Sequence, residues 1–317
     1  ETVLAPVVRD TMHEHGRPYD TVVTFGCVGS NHAVATAAWA QKLGLHCILM
    51  LKPQPSSKTV RRNLLLMQHY GAQIHYYPNE EKRTQAMLEL FQRYYQEHGV
   101  FPYVLPTGAA LPLSCVGYVN AAFELKEQIE QGLLPQPDVI YLPVGGTFSA
   151  GVSCCTTAGL VVGLAAAGLP TKVVAVATQP ENPAAYKKAI IAMMHEVNTL
   201  LHTADKNFPL LDHPEQQLDI VYDCAGKSYG LFTQAGKDAI QLLQQADGIM
   251  LDGTYSGKAF AALIRDARAG KLQEKKVLFW NTFCGSDFTP QVDYDDYKKL
   301  PAGLHVYFEK PTQPLDS

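Results

Sequence analysis

Short β-branched or apolar runs alternate with longer helical patterns along almost the whole sequence. The runs fall at 22–25, 47–51, 73–77, 103–105, 139–144, 173–177, 220–222, 249–251, 277–280 and 305–308. Between them lie helical patterns at 33–43, 59–69, 80–97, 121–131, 151–167, 233–245 and 258–269. Runs without polar alternation read as strands buried on both faces. A repeated β, α, β, α order therefore specifies an α/β fold with mostly parallel sheets covered by helices. A length of 317 residues allows about two domains. The polar segment 130–138, with two prolines, is the expected seam, giving domains 1–130 and 131–317. The final KPTQPLDS reads as a frayed terminus.

Composition removes several classes of partner. Lys+Arg 26 against Asp+Glu 30 gives a net charge of -4 with no basic stripe, which argues against nucleic acid or an anionic membrane. No apolar run approaches the roughly 18 residues of a spanning helix. The seven cysteines are odd in number and lack the paired spacings of a zinc site, so a reducing cytoplasm and no metal are expected. The sequence opens at Glu1 without an initiator Met or a signal-type region, so further residues are expected upstream.

In an open parallel sheet, ligands gather at the carboxyl ends of the strands, where the next helix presents backbone N–H groups. Three strand-to-helix turns there are unusual. The first, GCVGSNH at 26–32, precedes a helix of small residues; Ser30 and Asn31 suit either helix capping or close approach of an anion. It is not G-x-G-x-x-G, so a dinucleotide loop is poorly supported. His32 fits equally a half-buried helix-start histidine. The second turn joins Gly145, Gly146 and Thr147 to Ser153, Thr156 and Thr157, a set of glycines and hydroxyls that could cradle an anion without a lysine, or allow close helix packing. The third, LDGTYSGK at 251–258, follows AGKSYG at 225–230 and presents Tyr229 and Tyr255 on loops. Lys258, in the first helical turn, reads as an ion-pair lysine rather than a nucleophile.

Together these segments resemble the pyridoxal-phosphate enzymes of the tryptophan-synthase-β fold, specifically the 1-aminocyclopropane-1-carboxylate deaminase and D-cysteine desulfhydrase group. The blocks that carry the resemblance are GCVGSNHAVATAAWAQKLGLHCILML, SSKTVRRNLLLMQHYGAQI, SCCTTAGLVVGLAAAGL, AGKSYGL and GIMLDGTYSGKAFAALI. It implies two open twisted, mostly parallel sheets and pyridoxal 5'-phosphate as cofactor. It also implies a small amino-acid substrate, a homodimer and a cytoplasmic enzyme.

By this resemblance Asn31 meets the phenolic oxygen of the cofactor, while Ser30 and the helix start hold the substrate carboxylate. His32 lines the same pocket, and Tyr229 and Tyr255 flank the substrate and move a proton. Gly145, Gly146, Thr147, Ser153, Thr156 and Thr157 are the phosphate candidates, because the turn is about eight residues longer than the family pattern. Ser256 stands where the deaminase carries an acidic residue opposite the pyridine nitrogen, with Thr282 near that edge. The family's Schiff-base lysine is expected at about Glu1 or just upstream. A hydroxyl at 256 argues for β-elimination over ring opening. The competing readings are a non-catalytic relative that binds the cofactor or an amino acid, and an unrelated dinucleotide binder. The second lacks an acidic ribose ligand after 47–51, where Lys52 and Pro53 stand.

Overall fold

A computed structural model describes residues 20–147, 151–180 and 182–316. The position expected for the Schiff-base lysine, at about Glu1, and the turn residues 148–150 lie outside them. The chain divides into two compact units, one formed by residues up to Ala109 and from Ser286 onward, the other by Ala110–Gly285.

The first unit holds β1 (Thr21–Cys27), α1 (Asn31–Leu43), β2 (His46–Lys52), α2 (Lys58–His69), β3 (Gln73–Tyr76), α3 (Glu80–His98) and β4 (Tyr103–Leu105). The sheet order is β3-β2-β1-β4, and every pairing is parallel. Val22, Val23, Leu49 and Leu51 are fully buried, as expected of strands covered on both faces. Ala33, Ala37 and Ala40 form the buried stripe of α1, so the helix can lie close to the sheet. Gly44 ends it at φ 71°, a left-handed C-terminal stop that suits glycine.

The second unit holds α4 (Pro112–Glu130), β5 (Val139–Thr147), β6 (Gly151–Ser153), α5 (Cys155–Ala166), β7 (Lys172–Ala177), α6 (Pro183–Ala204), β8 (Leu218–Val221), α7 (Gln234–Asp247), α8 (Ser256–Arg268) and β9 (Val277–Phe279). Its sheet runs β6-β5-β7-β8, with β9 on β5; β5 with β6 is the antiparallel pairing.

Several expectations need correction. The seam precedes α4 rather than following it, because α4 packs on α5 within the second unit: a Cβ on Gly159 would lie 2.5 Å from the Cys115 carbonyl oxygen, and one on Gly163 2.7 Å from that of Val119. The C-terminal tail is not frayed. Arg61 donates to the carbonyls of Tyr307 and Lys310 at 2.8 Å each, and the Asp316 carboxylate accepts the Lys58 N–H at 2.7 Å. Residues 305–308 are no strand, since Val306–Glu309 form a short helix, α9, whose Tyr307 is buried. Among the described residues, 249–251 join no ladder, and Ile249 and Met250 are 43% and 47% exposed, so the expected strand is not formed there. Helix α6 is not among the expected elements, although Asn182 caps Ala184 and Ala185 with Pro183 at the first turn.

Candidate active site

In the first unit the turn from Gly26 to His32 is clamped from two sides. The Gly29 N–H donates to Gln54 Oε1 at 3.0 Å, and its carbonyl accepts from Asn63 Nδ2 at 2.9 Å. A Cβ on Gly29 would stand 2.6 Å from Gln54 Nε2, and one on Gly26 would stand 2.9 Å from the Ser30 Cβ. Both glycines are thus required by close packing. Ser30 is the N-cap of α1, its Oγ accepting from the Ala33 N–H at 3.1 Å. The capping reading of Ser30 is therefore realised, and its hydroxyl hydrogen is left for another acceptor. Asn31 is exposed at the first helical position, with Oδ1 accepting from Asn63 Nδ2 at 2.8 Å. His32 Nε2 lies 2.8 Å from Thr24 Oγ1, and that hydroxyl gives its own hydrogen to the Leu105 carbonyl at 2.8 Å. The imidazole is therefore the donor through Nε2, leaving the lone pair on Nδ1. Desolvation pushes its pKa down to about 4, so His32 is neutral at physiological pH.

In the second unit, the glycine-rich turn departs from the expectation. Gly145, Gly146 and Thr147 continue β5 and pair antiparallel with Ser153, Val152 and Gly151 before the helix begins. Gly145 and Gly146 are strand residues rather than a cradle. Gly145 makes room for a tyrosine: a Cβ there would stand 2.7 Å from Tyr255 Cε1 and 3.1 Å from Thr178 Oγ1. Ser153 is half-buried at the end of β6. Cys154 caps α5 without a side-chain bond, which leaves first-turn N–H groups of this helix without a side-chain cap. Thr156 and Thr157 stand in that first turn, and the Thr157 hydroxyl is fully buried with no hydrogen-bond partner among the described residues. An orphaned hydroxyl beside uncapped helix N–H groups fits a phosphate dianion.

The two predicted tyrosines come together. Their hydroxyls hydrogen-bond, and their rings meet edge-on with centroids 6.1 Å apart. Three side chains shape this arrangement. Asp252, which sequence reading missed, is buried and its carboxylate accepts from the N–H groups of Thr254, Tyr255 and Ser256 at 2.8, 3.0 and 2.9 Å. Its signal is an acidic side chain in the turn ahead of a helix start, four residues before Ser256, where it can gather the N–H groups of that turn. Ser256 is fully buried, its Oγ donating to Asp252 Oδ1 and accepting from the Asp252 N–H, both at 2.8 Å. Lys258 is the third. Among the described residues it is the only fully buried lysine, and Nζ donates to the carbonyls of Thr178 and Ala225 at 2.8 Å each. It is held by backbone oxygens, not by the expected ion pair. Desolvation lowers its pKa to about 8, opposed by the Asp252 charge. Thr282 is exposed just beyond β9. No cluster of His, Cys, Asp or Glu suited to a metal occurs among the described residues.

Known proteins share this architecture. The D-cysteine desulfhydrase of Serratia proteamaculans (strain 568) is 32% identical over 268 residues, covering 83% of this chain and 76% of the relative. That of Salmonella paratyphi B is 31% identical over 264 residues, 81% of this chain and 73% of the relative. The crystal structure of an ACC deaminase homologue superposes with a TM-score of 0.70 at 28% identity, covering 88% of this chain and 76% of that one. O-ureido-L-serine synthase shares the fold, with a TM-score of 0.55 at 17% identity over 87% of this chain and 75% of that one. The family described as "Pyridoxal-phosphate dependent enzyme" matches residues 4–282. With that match, the two parallel sheets and a helix start suited to phosphate, the chain belongs to the pyridoxal-phosphate dependent enzyme family.

Proposed function

We propose that this enzyme carries out β-elimination and deamination of a small amino acid bearing a β-leaving group, in the manner of a D-cysteine desulfhydrase. The products are a keto acid, ammonia and the expelled substituent. The observation that carries the reading is the hydrogen-bonded pair Tyr229–Tyr255, for which Gly145 leaves room. Two coupled phenols can give a proton at one oxygen and recover it through the other, as departure of a thiolate or halide requires.

The remaining residues bind and orient. The first turn of α5, with Thr156 and Thr157, would hold the cofactor phosphate. Asn31 would meet the phenolic oxygen, and Ser256 the edge of the ring nitrogen, with Thr282 toward that side. Ser30, through its unused hydroxyl hydrogen, and the N-terminus of α1 would bind the substrate carboxylate. Neutral His32 adds no charge there, but its Nδ1 lone pair can accept a hydrogen bond from the substrate amine. Bound pyridoxal phosphate supplies the electron sink that makes the α-proton removable. Lys258, committed to Thr178 and Ala225, has a supporting role. We also assign the enzyme to the cytoplasm as a homodimer, which sedimentation equilibrium tests; no described helix is long and apolar enough to cross a membrane.

Pyruvate release decides the substrate question. The holoenzyme is offered D-cysteine, β-chloro-D-alanine, L-cysteine and aminocyclopropane carboxylate at equal concentrations. Pyruvate from the D-substrates ahead of the others is expected. Preference for aminocyclopropane carboxylate would overturn elimination as the main reaction, and cofactor binding without turnover of any substrate would make the protein a non-catalytic relative.

A further inference from the structure

We propose that Asn63 is a positioning residue that decides which end of the Asn31 amide faces the cofactor, an inference that rests on the assignment of Asn31 to the phenolic oxygen. A guanidinium has five donors and no acceptor. Arg62 places Nε and Nη2 at 3.2 and 3.1 Å from Asn63 Oδ1, so the oxygen of that amide is fixed on the Arg62 side. The amide nitrogen must then face the other way, and both its hydrogens are used: one to the Gly29 carbonyl at 2.9 Å, one to Asn31 Oδ1 at 2.8 Å. The Gly29 carbonyl can only accept, which imposes the same orientation independently. Asn63 is 1% exposed, so it has no water to turn toward. Arg62 is itself held 5.5 Å from the centre of the Phe288 ring.

The consequence falls on Asn31. With Oδ1 taken, its Nδ2 is the end that remains for a ligand, and a phenolate oxygen needs a donor. An Asn31 free to turn over would present a carbonyl oxygen to an anionic oxygen about as readily. Asn63 removes that choice, and Arg62 removes it for Asn63.

Asn63→Asp tests this. The new carboxylate keeps the acceptor for Arg62 but has no hydrogen for Asn31, whose amide then reverses to donate toward position 63. The dissociation constant for pyridoxal phosphate, measured on the apo protein by fluorescence quenching, should rise about 10- to 100-fold, the range of a lost hydrogen bond to a charged group. The absorbance maximum of the bound cofactor should move as well. In an Asn31→Ala background the same substitution should change the dissociation constant less than about threefold, because no amide is left to orient. Arg62→Met is the second variant, should Asn63→Asp not fold. It leaves the hydrogens of Asn63 in place but frees its orientation, so a smaller rise is expected, again absent without Asn31. Equal weakening in both backgrounds would overturn this inference alone, showing that Asn63 merely braces Gly29. A wild-type protein that takes up no pyridoxal phosphate would overturn the functional assignment, and this inference with it.

Discussion

Replacing Lys258 with methionine tests the second unit most directly, because it separates a buried charge from two hydrogen bonds. The gap between a folded pKa of about 8 and the ordinary 10.5 corresponds to about 3 kcal/mol of free energy. The sign follows from proton binding. Below pH 8 the folded and unfolded chains both carry the proton, and the burial cost is fully present. Between pH 8 and 10.5 the unfolded chain holds a proton the folded chain has lost, so stability rises with pH. Lys258→Met abolishes this titration while nearly preserving side-chain volume. It also strips the donor from the carbonyls of Thr178 and Ala225, at about 1–3 kcal/mol each. At pH 7 the relief and the loss are comparable, and the variant should lie within a few kcal/mol of wild type. By pH 10 wild type should have gained about 2–3 kcal/mol relative to it. Urea unfolding of both proteins from pH 7 to 10.5 measures the difference, in which the titrations of other lysines and tyrosines cancel. Parallel curves would refute the argument, showing that the amine is not held in the desolvated setting from which its low pKa comes. The loop bearing Tyr229 loses its tie to the end of β7 in this variant, so kcat should also fall while cofactor uptake is retained.

Gly145→Ala would drive a methyl group to 2.7 Å from Tyr255 Cε1. Displacing that ring should cost about 1–3 kcal/mol of stability and lower kcat roughly tenfold or more, read from pyruvate release. His32 titrates in the same sense, in an acid window: the unfolded chain takes up the proton near pH 6.5 and the folded chain only near 4, so stability falls as pH drops through that window. His32→Gln, which can still donate to Thr24, should lose less stability between pH 7 and 4.5 in urea titrations. A variant as acid-sensitive as wild type counts against a desolvated imidazole. Asp316→Ala removes the carboxylate from the Lys58 N–H at the start of α2, and its cost should be about 0.5–1 kcal/mol by thermal unfolding, shrinking in high salt. An unaltered unfolding curve would mean that the tail contributes nothing there.

What the sequence reveals is governed by how local the determinant is. The strands of the first unit are legible because consecutive β-branched residues are buried on both faces. Thr21–Cys27 pairs in register with His46–Lys52, much as the apolar runs mark them. Ser30, Asn31, Tyr229 and Tyr255 stand out as polar or aromatic residues at strand-to-helix turns. Residues whose role depends on distant partners do not. Gly151–Ser153 falls in the run expected as the start of the 151–167 helix and becomes a strand instead, because Gly145–Thr147 extends far enough to pair with it, and the helix begins at Cys155. Lys258 follows a serine and a glycine at a helix start and reads from the sequence as an ion-pair lysine. Its burial depends on carbonyls 80 and 33 residues away in sequence. Asn63 stands between two arginines and three leucines in RRNLLL, and its meaning appears when Gly29 and Asn31 are brought to it.

Ser256 shows why a residue's chemistry cannot be taken from its type alone. Considered by itself, a hydroxyl opposite a pyridine nitrogen is a weak and neutral partner that can donate or accept. In the folded chain its hydrogen is given to Asp252 Oδ1 and one lone pair accepts the Asp252 N–H. What remains is acceptor capacity on an oxygen whose hydrogen bonds to a carboxylate. Such an oxygen is a better acceptor than a free hydroxyl, because hydrogen bonds in series polarise one another. In the proposed site it would favour a ring nitrogen that carries a proton, although less strongly than a carboxylate in direct contact. The contrast with an acidic residue at this place is thus one of degree. Asp252 supplies the charge at one remove, while its remaining bonds hold Tyr255 and the start of α8 in place. The proposal of elimination consequently rests less on a missing charge at position 256 than on the paired phenols of Tyr229 and Tyr255, which would deliver a proton to a departing β-substituent.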